Sequence, residues 1–351
     1  MEGPVTQHTS GLSSGITEHT FSSWRHTSFY LTAGESENPP IIFVHGWPEL
    51  SLSWRQQLPF VANQGYFAVA PDMRGYGNSG VYDRHEDYAL REIVADMVEL
   101  TDGLQIEKAI WVGHDWGAAV VWSIARHHPE RCIAIANLCV PYDTLERGWD
   151  GILPFIDRDI YPQAQYPAGQ WEYQRYYEEH FAEATAVFDS DPYRVAKLLF
   201  RAGDPAGAGR VSGTALTCQQ NGWFGGGGVP DLPIDASVIS EEDLQVYAEA
   251  LERNSFFGPD SYYMNHKRNA QYAAEADSDR LAMPVLFLHG RYDYTCETMN
   301  SMAAEPMREK CAQLTEAVVD SGHWMAQEKP DDVNRYLASW LESLPDPNQA
   351  D

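Results

Sequence analysis

Short apolar runs alternate, along the first 140 positions, with segments whose apolar residues recur at helical spacing. The strand-like runs are TSFYL (27–31), IIFVHG (41–46), YFAVAP (66–71), AIWVGH (109–114) and CIAIANLCV (132–140). The segment 86–104 carries four apolar residues on one helical stripe: Leu90, Ile93, Val94 and Met97. A further helix is predicted from about 117 to 128. Because these strands are apolar throughout, they favour a mostly parallel sheet with helices on both faces.

The pattern changes after Pro141. Residues 142–278 are rich in Tyr and Trp and contain helical segments such as SEEDLQVYAEALER, for which Ser240 is a suitable N-cap. Strand-like runs resume at MPVLFLHG (283–290) and QLTEAVVD, and a final helix is predicted near 332–344. We therefore predict an α/β fold with a core of 20–141 and 279–351, an inserted helical cap of 142–278, and a loose lead-in of 1–19.

The composition restricts the expected partners and location. The chain has 24 Lys and Arg against 51 Asp and Glu, a formal net charge of −27, which repels nucleic acid and anionic membranes. There is no secretory leader pattern and no apolar run of about 18 residues. The five cysteines are odd in number and lack C-x-x-C spacing, which favours a reducing compartment. We expect a cytoplasmic protein without membrane anchor, metal or cofactor, of undetermined oligomeric state.

The stretch IWVGHDWGAA (110–119) carries the strongest chemical signal. An apolar strand leads into Gly113, His114, Asp115, Trp116 and Gly117, and a helix follows. This is the G-x-nucleophile-x-G pattern of a strained turn, which accepts only small residues on either side of its centre. An aspartate attacking an ester would give a reactive anhydride. Asp115 is therefore better suited to attack an sp³ carbon, which leaves an alkyl ester on its carboxylate.

Two later residues complete a catalytic set with Asp115. Asp293 follows the strand VLFLHG, and His323 follows the next strand. The order nucleophile, acid, histidine is that of an α/β-hydrolase triad, with the predicted cap inserted in the first gap. In such a triad His323, oriented by Asp293, activates a water that attacks the ester. Asp143 is the alternative acid, because some relatives of this fold use the position after CIAIANLCV.

These motifs resemble those of the soluble epoxide hydrolase family of α/β-hydrolases. The resemblance covers nearly the whole chain after the lead-in and rests on HGWP, DMRGYGNS, GHDWG, GRYD, GHW, EYQRYY and GPDSYYMN. It implies that Tyr173 and Tyr263, in the last two motifs, grip the epoxide oxygen, with Tyr262 as the alternative to Tyr263. Members from animals often carry an additional N-terminal phosphatase domain, which we expect this chain to lack.

The remaining site residues follow from their places beside these motifs. The oxyanion that forms on the ester needs two backbone N–H donors, which this fold supplies at Trp47 and Trp116. Trp47, Pro48, Trp116 and Trp324 are expected to form the walls of the substrate pocket. A phenol with a pKa of about 10 is protonated at neutral pH and can donate to an epoxide oxygen as the ring opens.

We therefore predict an enzyme that converts a lipophilic epoxide and water to a vicinal diol through a covalent ester on Asp115. One alternative is a haloalkane or haloacetate dehalogenase that forms the same ester. Haloalkane enzymes usually have asparagine where Trp47 stands, and haloacetate enzymes have arginine where Trp116 stands, so both departures disfavour dehalogenation. The other alternative is a ligand-binding protein of this fold without turnover. A role in detoxification or in lipid signalling is left open.

Overall fold

An eight-stranded sheet forms the centre of the protein, which the computed structural model describes over residues 15–344. The strands are β1 (Thr17–Ser22), β2 (Thr27–Ala33), β3 (Pro40–Val44), β4 (Phe67–Pro71), β5 (Ala109–His114), β6 (Cys132–Leu138), β7 (Leu281–Gly290) and β8 (Cys311–Val319). Their order is β1-β2-β4-β3-β5-β6-β7-β8. The pairs β1–β2 and β2–β4 are antiparallel, and all other neighbours are parallel. The mostly parallel sheet is as predicted.

Helices cover the sheet. Those that accompany the strands are α1 (Gln57–Ala62), α2 (Leu90–Gly103), α3 (Trp116–His127), α10 (Glu305–Lys310), α11 (Met325–Glu328) and α12 (Pro330–Ser343). Helix α2 buries the apolar stripe that predicted it. The central strands β4 and β5 are buried along their whole length, which explains why their sequences do not alternate between apolar and polar residues.

The segment between β6 and β7 contains helices and loops, and none of residues 139–280 is in a strand. Its α-helices are α4 (Trp149–Ile152), α5 (Glu172–Asp189), α6 (Pro192–Leu199), α7 (Glu241–Asn254), α8 (Phe257–Ser261) and α9 (His266–Ala274). Ser240 caps α7, since its Oγ accepts the N–H of Asp243 at 3.0 Å. The inserted helical segment is thus present, whereas its boundaries as a domain remain a prediction.

The predicted lead-in, residues 1–19, extends too far along the chain, because the first strand begins at Thr17. Residues 17–19 belong to β1, where Thr17 pairs with Thr32 and His19 with Tyr30. This edge strand is polar and only partly buried, so it lacks the apolar pattern that identifies the central strands. The rest of the lead-in, residues 1–14, lies outside the described part of the chain. Within residues 15–344, no helix has the length and apolar character needed to cross a membrane.

Candidate active site

Asp115 occupies a sharp turn between β5 and α3. Its backbone has φ 51° and ψ −120°, a conformation that L-residues seldom adopt. Close contacts explain the surrounding glycines: a Cβ at Gly117 would lie 2.0 Å from the carbonyl oxygen of Val44, and one at Gly46 would lie 2.4 Å from the Cβ of Asp115. The strained turn places the carboxylate at the carboxyl end of the central strand, as the motif predicts.

Backbone N–H groups already hold the Asp115 carboxylate. The N–H of Trp47 donates to its Oδ1 at 2.7 Å. Burial raises the pKa of Asp115, and the charge of His323 and the N–H groups of Trp47 and Trp116 partly oppose that rise. The two donors expected to form an oxyanion hole therefore both act on the carboxyl group that would become the ester.

His323 lies between the two aspartates. Its Nδ1 is 2.7 Å from Oδ2 of Asp293, and its Nε2 is 3.7 Å from Oδ2 of Asp115. The other oxygen of Asp293 accepts the N–H groups of Thr295 at 3.1 Å and Cys296 at 2.9 Å, which fixes the carboxylate. Burial lowers the pKa of His323, but the charges of Asp293 and Asp115 outweigh it and raise the pKa to about 9. The imidazole is therefore protonated at neutral pH.

The alternative acid, Asp143, is engaged elsewhere. Its carboxylate bonds Arg126 at 2.9 Å, Arg147 at 2.8 Å and Lys310 at 2.6 Å. Burial alone would raise its pKa, but these cations lower it below its usual value. Asp143 thus ties the start of the helical segment to α3 and α10. Of the two candidate acids, Asp293 is the one that contacts His323.

Tyr173 and Tyr263 face each other across the site. Tyr173 lies in α5 and Tyr263 in a 3₁₀ turn after α8, and their ring centroids are 5.4 Å apart in an edge-to-face arrangement. Burial raises the pKa of both phenols well above 10. The amide of Gln174 donates to the Tyr173 hydroxyl at 2.9 Å. Tyr262, the alternative, instead donates to the carbonyl oxygen of Arg74 at 3.0 Å.

A cavity of about 420 Å³ connects these groups. Its walls include all five predicted catalytic residues and two of the predicted pocket aromatics: Asp115, Tyr173, Tyr263, Asp293, His323, Trp47 and Trp324. Trp223, which was not predicted to be a site residue, lines the cavity as well. Trp116 and Pro48 are not among the described residues that line it. The Trp116 ring is buried against Tyr262 and Tyr263, and Pro48 is buried in its turn, so their place in the substrate pocket stays a prediction.

A buried Glu49–His114 pair supports the catalytic loops and was not predicted. Nδ1 of His114 is 2.7 Å from Oε2 of Glu49, and its Nε2 donates to the carbonyl oxygen of His323 at 2.8 Å. Glu49 also accepts the N–H of Gly46 at 2.8 Å. Burial raises the pKa of Glu49, but the charge and hydrogen bond of His114 outweigh it and lower the pKa to about 2. The position of Glu49, directly after HGWP, was the available sequence signal.

Comparisons with known proteins identify the family to which the chain belongs. The alpha/beta hydrolase fold family matches residues 39–330. Epoxide hydrolase A of Mycobacterium tuberculosis is 33% identical over 327 residues, which cover 90% of this chain and 94% of that protein. Bifunctional epoxide hydrolase 2 of Sus scrofa is 31% identical over 87% of this chain, which spans 52% of that protein. The crystal structure of epoxide hydrolase A from Mycobacterium thermoresistibile superimposes with a TM-score of 0.78 at 30% identity, covering 94% of this chain and 99% of that one.

The chain therefore belongs to the α/β-hydrolase fold family, with an aspartate at the nucleophile position. Within that family it belongs with the epoxide hydrolases, to which it is similar over nearly its whole length.

Proposed function

We propose that this protein hydrolyses a lipophilic epoxide to a vicinal diol through a covalent ester on Asp115. The observation that carries the proposal is one cavity that holds the Asp115 carboxylate, His323 and two buried phenols, Tyr173 and Tyr263. Aromatic side chains dominate the walls beside these groups, which suits an apolar substrate. The helical segment 142–278 contributes both phenols, and we propose that it acts as the cap of the site.

Ring opening uses the carboxylate and the phenols. An oxygen of Asp115 attacks one epoxide carbon, a C–O bond of the ring breaks, and the departing oxygen takes a proton from a phenol. Because burial raises the pKa values of Tyr173 and Tyr263, both hydroxyls are protonated at neutral pH and available as donors. The product of this step is a hydroxyalkyl ester on Asp115 and a phenolate.

Ester formation then prepares His323 for the second step. The neutral ester removes a negative charge that raises the pKa of His323, so the imidazole loses its proton more easily. His323 can then take a proton from a water that attacks the ester carbonyl carbon, while the N–H groups of Trp47 and Trp116 hold the oxyanion. The proton that His323 gives up after ester formation restores the phenol. The diol leaves with the proton that His323 took from the water, and the acid proton left on Asp115 then passes to His323, so that every group regains its starting state.

A paired assay of the purified protein tests this function. One arm offers a trans-disubstituted aryl epoxide and follows diol formation, and the other offers a bromoalkane and fluoroacetate and follows halide release. We expect diol without halide. Halide without diol would assign Asp115 to a dehalogenase, and binding of the epoxide without product would indicate a protein of this fold that has no turnover.

Removal of the two phenol hydroxyls should slow ring opening. We expect Tyr173→Phe and Tyr263→Phe each to lower the rate of ester formation by about tenfold to a hundredfold, and the double variant to be nearly inactive. Rapid-quench mass spectrometry of the ester measures this rate. Tyr262→Phe is the matched control, since its hydroxyl bonds the carbonyl oxygen of Arg74 and it should keep the wild-type rate. Normal rates in the double variant would mean that another group holds the epoxide oxygen.

We further propose that the protein acts in the cytoplasm, on a small-molecule epoxide with water as the second substrate. All five cysteines are free thiols, four of them buried, which suits a reducing compartment.

A further inference from the structure

Asp260 is a fully buried carboxylic acid that the catalytic scheme does not yet use. It lies in α8, three residues before Tyr263, with 0% of its surface exposed. A buried carboxyl group is costly unless neighbouring groups hydrogen-bond to it. The groups that contact the Asp260 carboxyl group therefore indicate its role.

Each oxygen of Asp260 has a side-chain partner from a different part of the chain. Oδ1 accepts the indole N–H of Trp47 at 3.1 Å. Oδ2 accepts the hydroxyl of Thr185, in α5, at 3.0 Å. The buried hydroxyl of Tyr177, also in α5, lies beside the same carboxyl group and makes no hydrogen bond of normal geometry among the described residues.

These partners lead directly to the reacting groups. Trp47 is the residue whose backbone N–H holds Oδ1 of Asp115. Helix α5 is kinked at His180, with Tyr173 and Tyr177 before the kink and Thr185 after it. The ring of Tyr177 stacks on that of Tyr263, with centroids 5.1 Å apart and planes within 3°. One carboxyl group therefore touches the oxyanion loop and the helix that carries one phenol, and it lies one turn from the other phenol.

We propose that Asp260 is a positioning residue for epoxide ring opening: its carboxyl group ties the Trp47 loop to α5 and α8 and so fixes Tyr173 and Tyr263 over Asp115. The proposal rests on the proposed function of the site. Its physical reason is that two donors must meet one departing oxygen, and small displacements of positioned groups cost large factors in rate.

The charge of Asp260 matters because it lies close to the phenols. Burial raises its pKa to about 8, although the hydrogen bonds from Trp47 and Thr185 and the nearby hydroxyl of Tyr177 oppose the rise. The other titratable groups around it are Asp189 of α5 and Tyr76 of the loop after β4. At neutral pH the carboxyl group is therefore mostly neutral. Above pH 8 it becomes an anion that opposes negative charge developing at the nearby epoxide oxygen.

Two substitutions of Asp260 test the proposal. Asp260→Leu removes both hydrogen bonds and should slow ester formation about tenfold or more. The effect on ester hydrolysis should be smaller, because the attack of water on the ester does not need a proton from the phenols. Asp260→Asn keeps a neutral amide of the same shape and should restore most of the rate. In the wild type, ester formation should decline as the pH rises through about 8, and the asparagine variant should lose that decline.

The measurement is single-turnover ester formation by rapid-quench mass spectrometry from pH 6 to 10, with thermal unfolding to verify folding. Asp243→Asn is the matched control: it is a buried acid of α7, paired with Arg55 at 2.9 Å, and should keep the wild-type pH profile. A folded leucine variant with the wild-type rate, or an asparagine variant with an unchanged alkaline decline, would overturn the proposal. If leucine prevents folding, the asparagine profile decides. Failure of the proposed function is distinguishable, because wild-type protein would then form no ester at all.

Discussion

Replacement of Asp115 by asparagine is expected to abolish epoxide turnover, lowering kcat by about four orders of magnitude or more. An amide is a very poor nucleophile, and no other carboxylate among the described residues shares the strained turn with the N–H of Trp47. Diol formation under saturating epoxide measures the loss. Folding should persist, because burial already disfavours the charged form of this side chain.

Deamidation of the Asp115→Asn variant provides a further test of the nucleophile assignment. Slow deamidation would regenerate aspartate, so a gradual recovery of activity in step with the mass change of deamidation is consistent with the nucleophile assignment. Asp243→Asn, made in parallel, should remain active, since Asp243 is paired with Arg55 away from the cavity. Full activity in freshly prepared Asp115→Asn protein would exclude the covalent scheme.

Replacement of His323 by glutamine should stop the reaction at the ester. Glutamine cannot accept the proton of the attacking water, whereas Asp115 and both phenols remain able to open the ring. Intact-protein mass spectrometry should show the protein heavier by one substrate molecule under single-turnover conditions. In the wild type, hydrolysis of the ester should accelerate with rising pH, because it requires His323 without its proton, and Asp293 favours the protonated form.

The glutamine variant separates two mechanisms cleanly. If His323 instead activated water for direct attack on the epoxide, only unmodified protein would be seen. The double variant Asp115→Asn, His323→Gln serves as the control, since it should bind epoxide without forming the ester. Accumulation of adduct in that double variant would place the covalent bond on another residue.

Local patterns were enough to predict the sheet and the nucleophile turn. The apolar runs of β3 to β7 are unbroken because those strands lie between two layers of helices. The motif of Gly113, Asp115 and Gly117 begins in the last residues of β5 and continues into α3. The edge strand β1 was not predicted, because half of its residues face solvent and its sequence is polar. An apolar pattern indicates burial, and β1 is only partly buried.

The sequence by itself determined the fold class and predicted the nucleophile turn and the order of the catalytic candidates, since each depends on residues adjacent along the chain. Only the tertiary structure shows which of Asp143 and Asp293 contacts His323, because both follow a strand and the contact depends on how distant segments pack. It also decided the place of Asp260, which meets Trp47 across 213 positions and Thr185 across 75. Contacts between such distant positions leave no periodic trace in a single sequence, because they are set by how the helical segment lies on the sheet.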